Sequence, residues 1–407
     1  MPASLKSAVR VEWLLIVALA GLAVLARIVG LRQDTGEVHN MSVWAHRLVA
    51  AGGWRGLSER IGNYNAPYLY LLLLATYLPG PLIITMKLVW TAFDVVLAFF
   101  TYKLVGLARP GRRVPVIAAL IMVFVPTVVL NAAYIGQVDD MWGSLSVGAL
   151  YFLLRRRYWW ALSLCGAAVA LKPLAIFFFP VVGLLLLAGR VPWRTVPAVP
   201  AVYLALDVPA LLIGRDPREL LTIYSPGRQQ GVISQLTYAA PSIYNFIPAS
   251  PDRIGAIKLL GEILLAALIL GVYYVLIVRR VELTDARIVT VSAFFAILVP
   301  FLLPGMHERY FFLADLLSVA LVFFRPRLWY VPLLVESASL LCYLPFFFHR
   351  QGKFVPMTIP TTLMLAALVI VGYHVLRDAA PSGAGFSRTP SVSPPEEQPA
   401  TLPARPV

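Results

Sequence analysis

The sequence is poor in charged residues. Asp, Glu, Lys and Arg make up 13% of its 407 residues, whereas 59% are apolar. An average soluble domain is about 25% charged. A soluble fold of this size also needs a largely polar surface. The composition therefore excludes a soluble enzyme.

Cysteine is also scarce. Cys165 and Cys342 both lie in apolar segments. We interpret them as small core residues, because free cysteine behaves as a small apolar side chain. Cysteine usage therefore says nothing about the redox compartment.

Apolar runs recur from end to end, as in Trp13–Val29, Val114–Ala132, Ile257–Val278 and Ile359–Leu376. About 20 such residues cross the ~30 Å hydrocarbon core of a bilayer. The runs predict an all-α, polytopic transmembrane domain over residues 1–378, with roughly 12 spans. Residues 379–407 are rich in Pro and Ser, which predicts a disordered cytoplasmic tail.

The formal net charge of +14 comes mostly from arginines between the apolar runs, as at Arg109–Arg113, Arg155–Arg157 and Arg325–Arg327. Short basic loops of this kind are typical of the cytoplasmic side of membrane proteins. A nucleic-acid partner is excluded, because the basic residues do not form one soluble face together with polar or aromatic side chains that could contact bases. We expect both termini in the cytoplasm of a plasma-membrane protein.

The segment Pro67–Pro79 is too short to span the membrane. If it lies along the outer interface instead, all basic loops fall inside. Four of the five histidines then fall outside, together with Asp34, Glu37, Asp139, Asp140 and Glu308. A second interfacial helix is predicted over Ser42–Ala51, because Trp44, Leu48 and Ala51 share one helical face. The polar loop Gly214–Gly255 could cover a site from the same side.

Two acidic groups are expected on the outside. Asp34 and Glu37 follow the first span, where partial desolvation makes a carboxylate a stronger base. An ordinary solvated loop is the alternative. Asp139 and Asp140 follow Gly136-Gln137, and either acid could instead cap the next helix.

Two basic groups are expected on the same side. Lys172, before Pro173, could contact a lipid phosphate or extend to the interface. His307, Glu308 and Arg309 adjoin Tyr310, and the arginine fork suits phosphate oxygens. An interfacial anchor is the alternative there. A zinc site is disfavoured, because no second His or Cys stands at ligand spacing.

Together these motifs resemble the GT-C superfamily of membrane glycosyltransferases, and more narrowly the bacterial relatives of the GPI mannosyltransferases. The resemblance covers most of Glu12–Leu376 and rests on TGEVHNMSVWAHRLVAAGG, NYNAPYLYLLLL, VLNAAYIGQVDDMW, ALKPLAIFFFP and MHERYFFLAD, in that order. It implies a polyprenyl-phosphate sugar as donor and a catalytic acid in the first outer loop.

The resemblance assigns the catalytic acid to Glu37, with Asp34 as the alternative because the family pattern usually has Gly-Asp there. It implies donor-phosphate binding by Lys172, Arg309 and His307. Further substrate-binding residues are expected at Gln137, Asp139, Asp140, Glu308, Tyr310, Tyr64 and Asn65.

The implied reaction is an inverting transfer of a hexose, with mannose favoured, to a glycolipid, glycan or protein acceptor outside the membrane. No metal-binding residue is assigned and no specific cofactor is predicted; a divalent metal ion stays open as an assistant. Membrane lipids are expected partners. The alternative function is a transporter or flippase for lipid-linked sugars, which would place its substrate near the midplane.

Overall fold

The computed structural model describes residues 3–228, 234–248, 250–348 and 354–379. The predicted disordered tail, apart from Ala379, lies outside the described residues. So does a short part of the predicted covering loop.

The described residues are mostly helical, with almost no sheet, which confirms the all-α prediction. The one sheet consists of two short parallel strands, β1 (Thr237–Tyr238) and β2 (Met306–His307). The helices are α1 Ala3–Gly30, α2 Gly36–Ala50, α3 Ala66–Tyr77, α4 Leu82–Ala108, α5 Arg113–Phe124, α6 Pro126–Val129, α7 Asp139–Leu154, α8 Tyr158–Leu171, α9 Phe179–Leu187, α10 Ala198–Leu212, α11 Pro217–Thr222, α12 Ile254–Val278, α13 Asp285–Leu302, α14 Phe312–Phe324, α15 Val331–Phe347 and α16 Thr358–Ala379.

Within the described ranges, seven helical segments are long and apolar enough to cross a bilayer, so the chain is an integral membrane protein. They belong to α1, α4, α10, α12, α13, α15 and α16. The bent pair α5–α6 makes an eighth if it is one span. This count is below the predicted number, because α7, α8, α9 and α14 have only 9 to 16 residues.

The predicted apolar run Val114–Ala132 is not one straight helix, because the chain bends by 56° between α5 and α6. Pro126 begins the second segment. Proline lacks a backbone N–H and disfavours helical backbone at the preceding residue, here Val125. A π-helical turn, Leu130–Ile135, then leads into Gly136.

Burial separates interior helices from peripheral ones. In α13, 78% of the span is buried, compared with 17% in α1. The exposed face of α1 is apolar and includes Leu14, Val17 and Leu25. Apolar side chains on the outside are stable where hydrocarbon replaces water, so α1 is suited to a lipid-facing position and α13 to the core.

The arginine loops contact one another at one end of the molecule, here called the basic face (Arg109–Arg113, Arg155–Arg157, Arg190–Arg194, Arg279–Arg287 and Arg325–Arg327). Arg109 donates to the Phe323 carbonyl, and Arg190 donates to the Leu283 carbonyl. Arg287 and Arg325 both pair with Asp378. This grouping is the one that the charge pattern predicts.

Candidate functional site

A pocket of about 420 Å³ gathers side chains from helix ends and turns. Its wall combines one acid, one imidazole and two cations with several aromatic rings. The lining residues are Glu37, Asn40, Met41, Trp44, Asn63, Tyr64, Lys172, Pro173, Leu174, Tyr224, His307, Arg309 and Tyr310. The pocket thus brings together Glu37, Lys172 and Arg309, which are far apart in the sequence.

Glu37 lies in the first turn of α2, not in a loop before it. The expected start at Ser42 is wrong because Thr35 caps the helix earlier, accepting from the Val38 N–H. The buried stripe also begins at Val38 and continues through Met41. Position and capping together hold Glu37 at the pocket wall, with its side chain 31% exposed.

Asp139 binds Lys172 from behind the pocket. Lys172 Nζ donates to Asp139 Oδ1 at 2.5 Å, and Trp142 Nε1 donates to the same oxygen at 2.8 Å. Asn131 Nδ2 donates to Asp139 Oδ2 at 3.0 Å. The capping alternative is wrong for both acids, because Val138 occupies the cap position. Asp139 is fully buried and saturated with donors, so its role is to hold the lysine.

Gly136 makes the close turn that brings this group against α2. Its φ is +81°, and an added Cβ would lie 3.0 Å from Val38 Cβ and 3.2 Å from Lys87 Cε. The backbone conformation and the close approach both require glycine.

We expect Gly136→Ala to destabilise the protein by about 2–4 kcal/mol, from left-handed backbone strain and overpacking. Gly189→Ala is a matched control, because Gly189 has φ +68° but open space around it. That control should lose only the strain contribution, about 1–2 kcal/mol. Unfolding free energies in mixed micelles measure both. Equal losses would mean that the contact with α2 is unimportant.

Arg309 joins the acids of the site. Its Nη1 lies 2.6 Å from Glu308 Oε1 and 3.4 Å from Glu37 Oε1. Burial alone would lower the pKa of Arg309, but the carboxylates of Glu308 and Glu37 raise it well above its ordinary value. Conversely, burial would raise the pKa of Glu308, but Arg309 holds that pKa below its ordinary value. Both side chains therefore stay charged at neutral pH.

The two cations both line the pocket. Arg309 Nε has no hydrogen-bond partner among the described residues. Asp139 and Glu308 neutralise charge from behind, since neither lines the pocket. Glu37 is therefore the lining carboxylate, and it faces a wall made cationic by Lys172 and Arg309.

Aromatic rings enclose the cations. Lys172 Nζ lies 6.0 Å from the Tyr64 ring centre and 5.9 Å from that of Tyr310. Burial raises the pKa of Tyr310 to about 12 and also raises that of Tyr64. Both hydroxyls therefore stay protonated and can donate to a ligand. Rings at this distance also attract the ammonium group through their π electrons.

Sequence reasoning missed Trp44 and Tyr224 as lining residues. Trp44 was predicted only as part of an apolar stripe, yet its ring packs 5.9 Å from that of Tyr64. The Tyr224 hydroxyl accepts from the Asn65 N–H. The one signal for Tyr224 was its place in the long loop expected to cover the site.

That loop is tied to the site by β1 and β2. The rings of Tyr238 and His307 stack with centres 4.4 Å apart and planes 4° from parallel. The Nδ1 atom of His307 also lies 3.7 Å from Oε2 of Glu308. The loop therefore orients the imidazole at the pocket wall.

We expect Tyr238→Ala to lower the unfolding free energy by about 0.5–1.5 kcal/mol more than Tyr238→Phe, because only phenylalanine keeps the stacked ring. Thermal or denaturant unfolding of the two variants measures the difference. Identical stabilities would show that the stacking is incidental.

Six predicted site residues do not line the pocket: Asp139 and Glu308, described above, and Asp34, Asn65, Gln137 and Asp140. Asp34 is exposed and precedes α2, three residues before Glu37. Asn65 is buried and donates to Asp207 at 2.8 Å, so its amide is used in packing α3 against α10. Gln137 and Asp140 are fully buried behind the wall. In the described part of the chain, no three His, Cys, Asp or Glu side chains gather as metal ligands.

No protein-family model matches this chain, and no curated protein matches it in sequence. The interpretation of the site therefore depends on its own geometry and chemistry.

Proposed function

We propose that the chain is an integral membrane glycosyltransferase of the GT-C type. It transfers a hexose, with mannose favoured, from a polyprenyl-phosphate donor to an acceptor hydroxyl. The observation that carries the proposal is the pocket itself, in which Glu37 faces Lys172 and Arg309. A base opposite two phosphate-binding cations is what sugar transfer from a phosphate leaving group requires.

The donor phosphate is placed against Lys172 and Arg309. Lys172 is 4% and Arg309 8% exposed, so each charge meets a ligand with little intervening water. Charge-assisted hydrogen bonds are strongest in such surroundings. His307 supplies a further hydrogen bond, and the Tyr64 and Tyr310 hydroxyls lie at the same wall.

Glu37 acts as the base. The acceptor oxygen forms a bond to the anomeric carbon while the bond from that carbon to the phosphate oxygen breaks. The acceptor proton passes to Glu37, and polyprenyl phosphate leaves with the bonding electrons, stabilised by the two cations. One displacement inverts the anomeric configuration.

The proposed topology has the basic face in the cytoplasm, following the positive-inside pattern. Helices α7, α8 and α14 support it, because each has a site residue at or beside one end and an arginine loop at the other. If these three and the apolar segment Pro173–Leu187, which contains α9, also cross, they raise the eight candidate spans to about 12. The pocket then opens outside the plasma membrane, where α2 and α3 lie along the interface.

A transporter for lipid-linked sugars is supported less well. It needs a site near the midplane that opens to both sides. The pocket instead lies among helix ends and turns on the side away from the arginine loops. Its position favours chemistry at one surface.

The test is transfer by the purified protein in proteoliposomes. A panel of polyprenyl-phosphate hexoses, radiolabelled in the sugar, is supplied with glycolipid, glycan and peptide acceptors. We expect one donor to label one acceptor class. No transfer from any donor, with the protein folded, would contradict the proposal; a nucleotide-sugar control should be inactive.

A further inference from the structure

A second pocket, of about 440 Å³, lies on the basic face. We propose that it binds the headgroup of an anionic phospholipid. Its walls come from the turn between α7 and α8 and from the turn before α10. They include Arg156, Arg157, Arg194, Trp159 and Trp160, and Trp193 adjoins them. The proposal does not depend on the transferase function.

The arginines of this pocket differ from several others on the same face. Arg113 pairs with Glu12, and Arg190 bonds to the Leu283 carbonyl. By contrast, none of the guanidinium groups of Arg156, Arg157 and Arg194 hydrogen-bonds or ion-pairs with any residue that the structure describes. No acid lines the pocket. Three converging cations without a protein anion form a site for an external one.

The neighbouring tryptophans indicate that the anion belongs to a lipid. Trp159, Trp160 and Trp193 are 54%, 61% and 63% exposed. Trp193 begins a candidate span, and the other two lie in the first turn of the apolar helix α8. Exposed tryptophans at such positions are typical of the headgroup level of a bilayer. A phospholipid can therefore place its phosphate on the arginines and its glycerol against the indoles.

The charge of the pocket selects among lipids. Phosphatidylglycerol brings one negative charge, whereas phosphatidylcholine adds a quaternary ammonium that the arginines repel. Basic pockets between helices on one side of a membrane are suited to anionic headgroups. The volume also exceeds that of a bare phosphate, which leaves room for the glycerol moiety.

The test is native mass spectrometry of the full chain titrated with phosphatidylglycerol or phosphatidylcholine of identical acyl chains. The test variant combines Arg156→Gln, Arg157→Gln and Arg194→Gln. The matched control combines Arg279→Gln, Arg280→Gln and Arg327→Gln, which removes equal charge from the same face; Arg280 has the same left-handed backbone as Arg156. If the triple test variant does not fold, Arg157→Gln with Arg194→Gln replaces it and keeps Arg156.

We expect the unaltered protein to hold phosphatidylglycerol at least about tenfold more tightly than phosphatidylcholine, the scale of one charge-assisted contact. The test variant should lose that preference, and the control should keep it. Equal loss in both variants, or no preference in the unaltered protein, would overturn the proposal. Soluble glycerol phosphate is the third arm: if it binds as tightly as the lipid, the site is one for free phosphate and the proposal fails.

Discussion

Glu37→Gln is expected to lower the rate of sugar transfer by about 100-fold or more, the scale of lost general-base catalysis. Glutamine keeps the shape of the side chain and its contact with Arg309, which lies 3.4 Å away, but cannot take the acceptor proton. Donor binding should therefore change little. Single-turnover rates at saturating donor measure the effect without a contribution from product release.

Asp34→Asn is the matched control for the Glu37 substitution. It removes a carboxylate three residues earlier, yet Asp34 is exposed and does not line the pocket. We expect near-normal transfer. If Glu37→Gln were active and Asp34→Asn inactive, the catalytic base would be Asp34 and not Glu37. Glu37→Asp should be intermediate, because the shorter arm withdraws the base by about one bond.

Arg309→Met is expected to lower the unfolding free energy by about 3–5 kcal/mol, besides weakening donor binding. In the unaltered protein, Arg309 Nη1 lies 2.6 Å from Glu308 Oε1. Removing the guanidinium leaves the buried Glu308 carboxylate without its cation. An uncompensated buried charge is the physical cause of the loss. Reversible unfolding in mixed micelles measures it.

Two further variants separate this cause from general damage. Glu308→Gln added to Arg309→Met should restore about 0.5–3 kcal/mol, because it removes the stranded charge. Arg60→Met breaks an exposed pair, in which Arg60 is 62% exposed and lies 3.5 Å from Glu219, and should cost at most about 1 kcal/mol. If the losses of unfolding free energy from the Arg309 and Glu308 substitutions simply added in the double variant, the ion pair between these two side chains would be contradicted.

The helical class and the site motifs could be predicted because they depend on local patterns. Apolar runs identified α1, α12 and α16, and residue chemistry identified Glu37, Lys172 and Arg309. The early start of α2 could also have been found, since Thr35 precedes Val38 and Met41 at helical spacing. The prediction placed too much weight on the stripe that begins at Trp44.

The partners of these residues could not be predicted, because they depend on packing between distant segments. Asp139 and Lys172 are 33 residues apart in the chain, and nothing local to either indicates their pairing. Tyr224 reaches the pocket from a loop with no periodic pattern. The sequence likewise favoured Asp140 and Gln137 as much as Asp139. All three are fully buried, and the contact with Lys172 distinguishes Asp139.

The most direct test of the proposed reaction is the stoichiometry of polyprenyl phosphate release in proteoliposomes. Doubly labelled donor, marked in the sugar and in the lipid, follows both products at once. We predict one polyprenyl phosphate released for each sugar joined to acceptor, with release strongly slowed in Glu37→Gln. Intact donor that reaches the opposite leaflet without cleavage would contradict a transferase and favour a flippase.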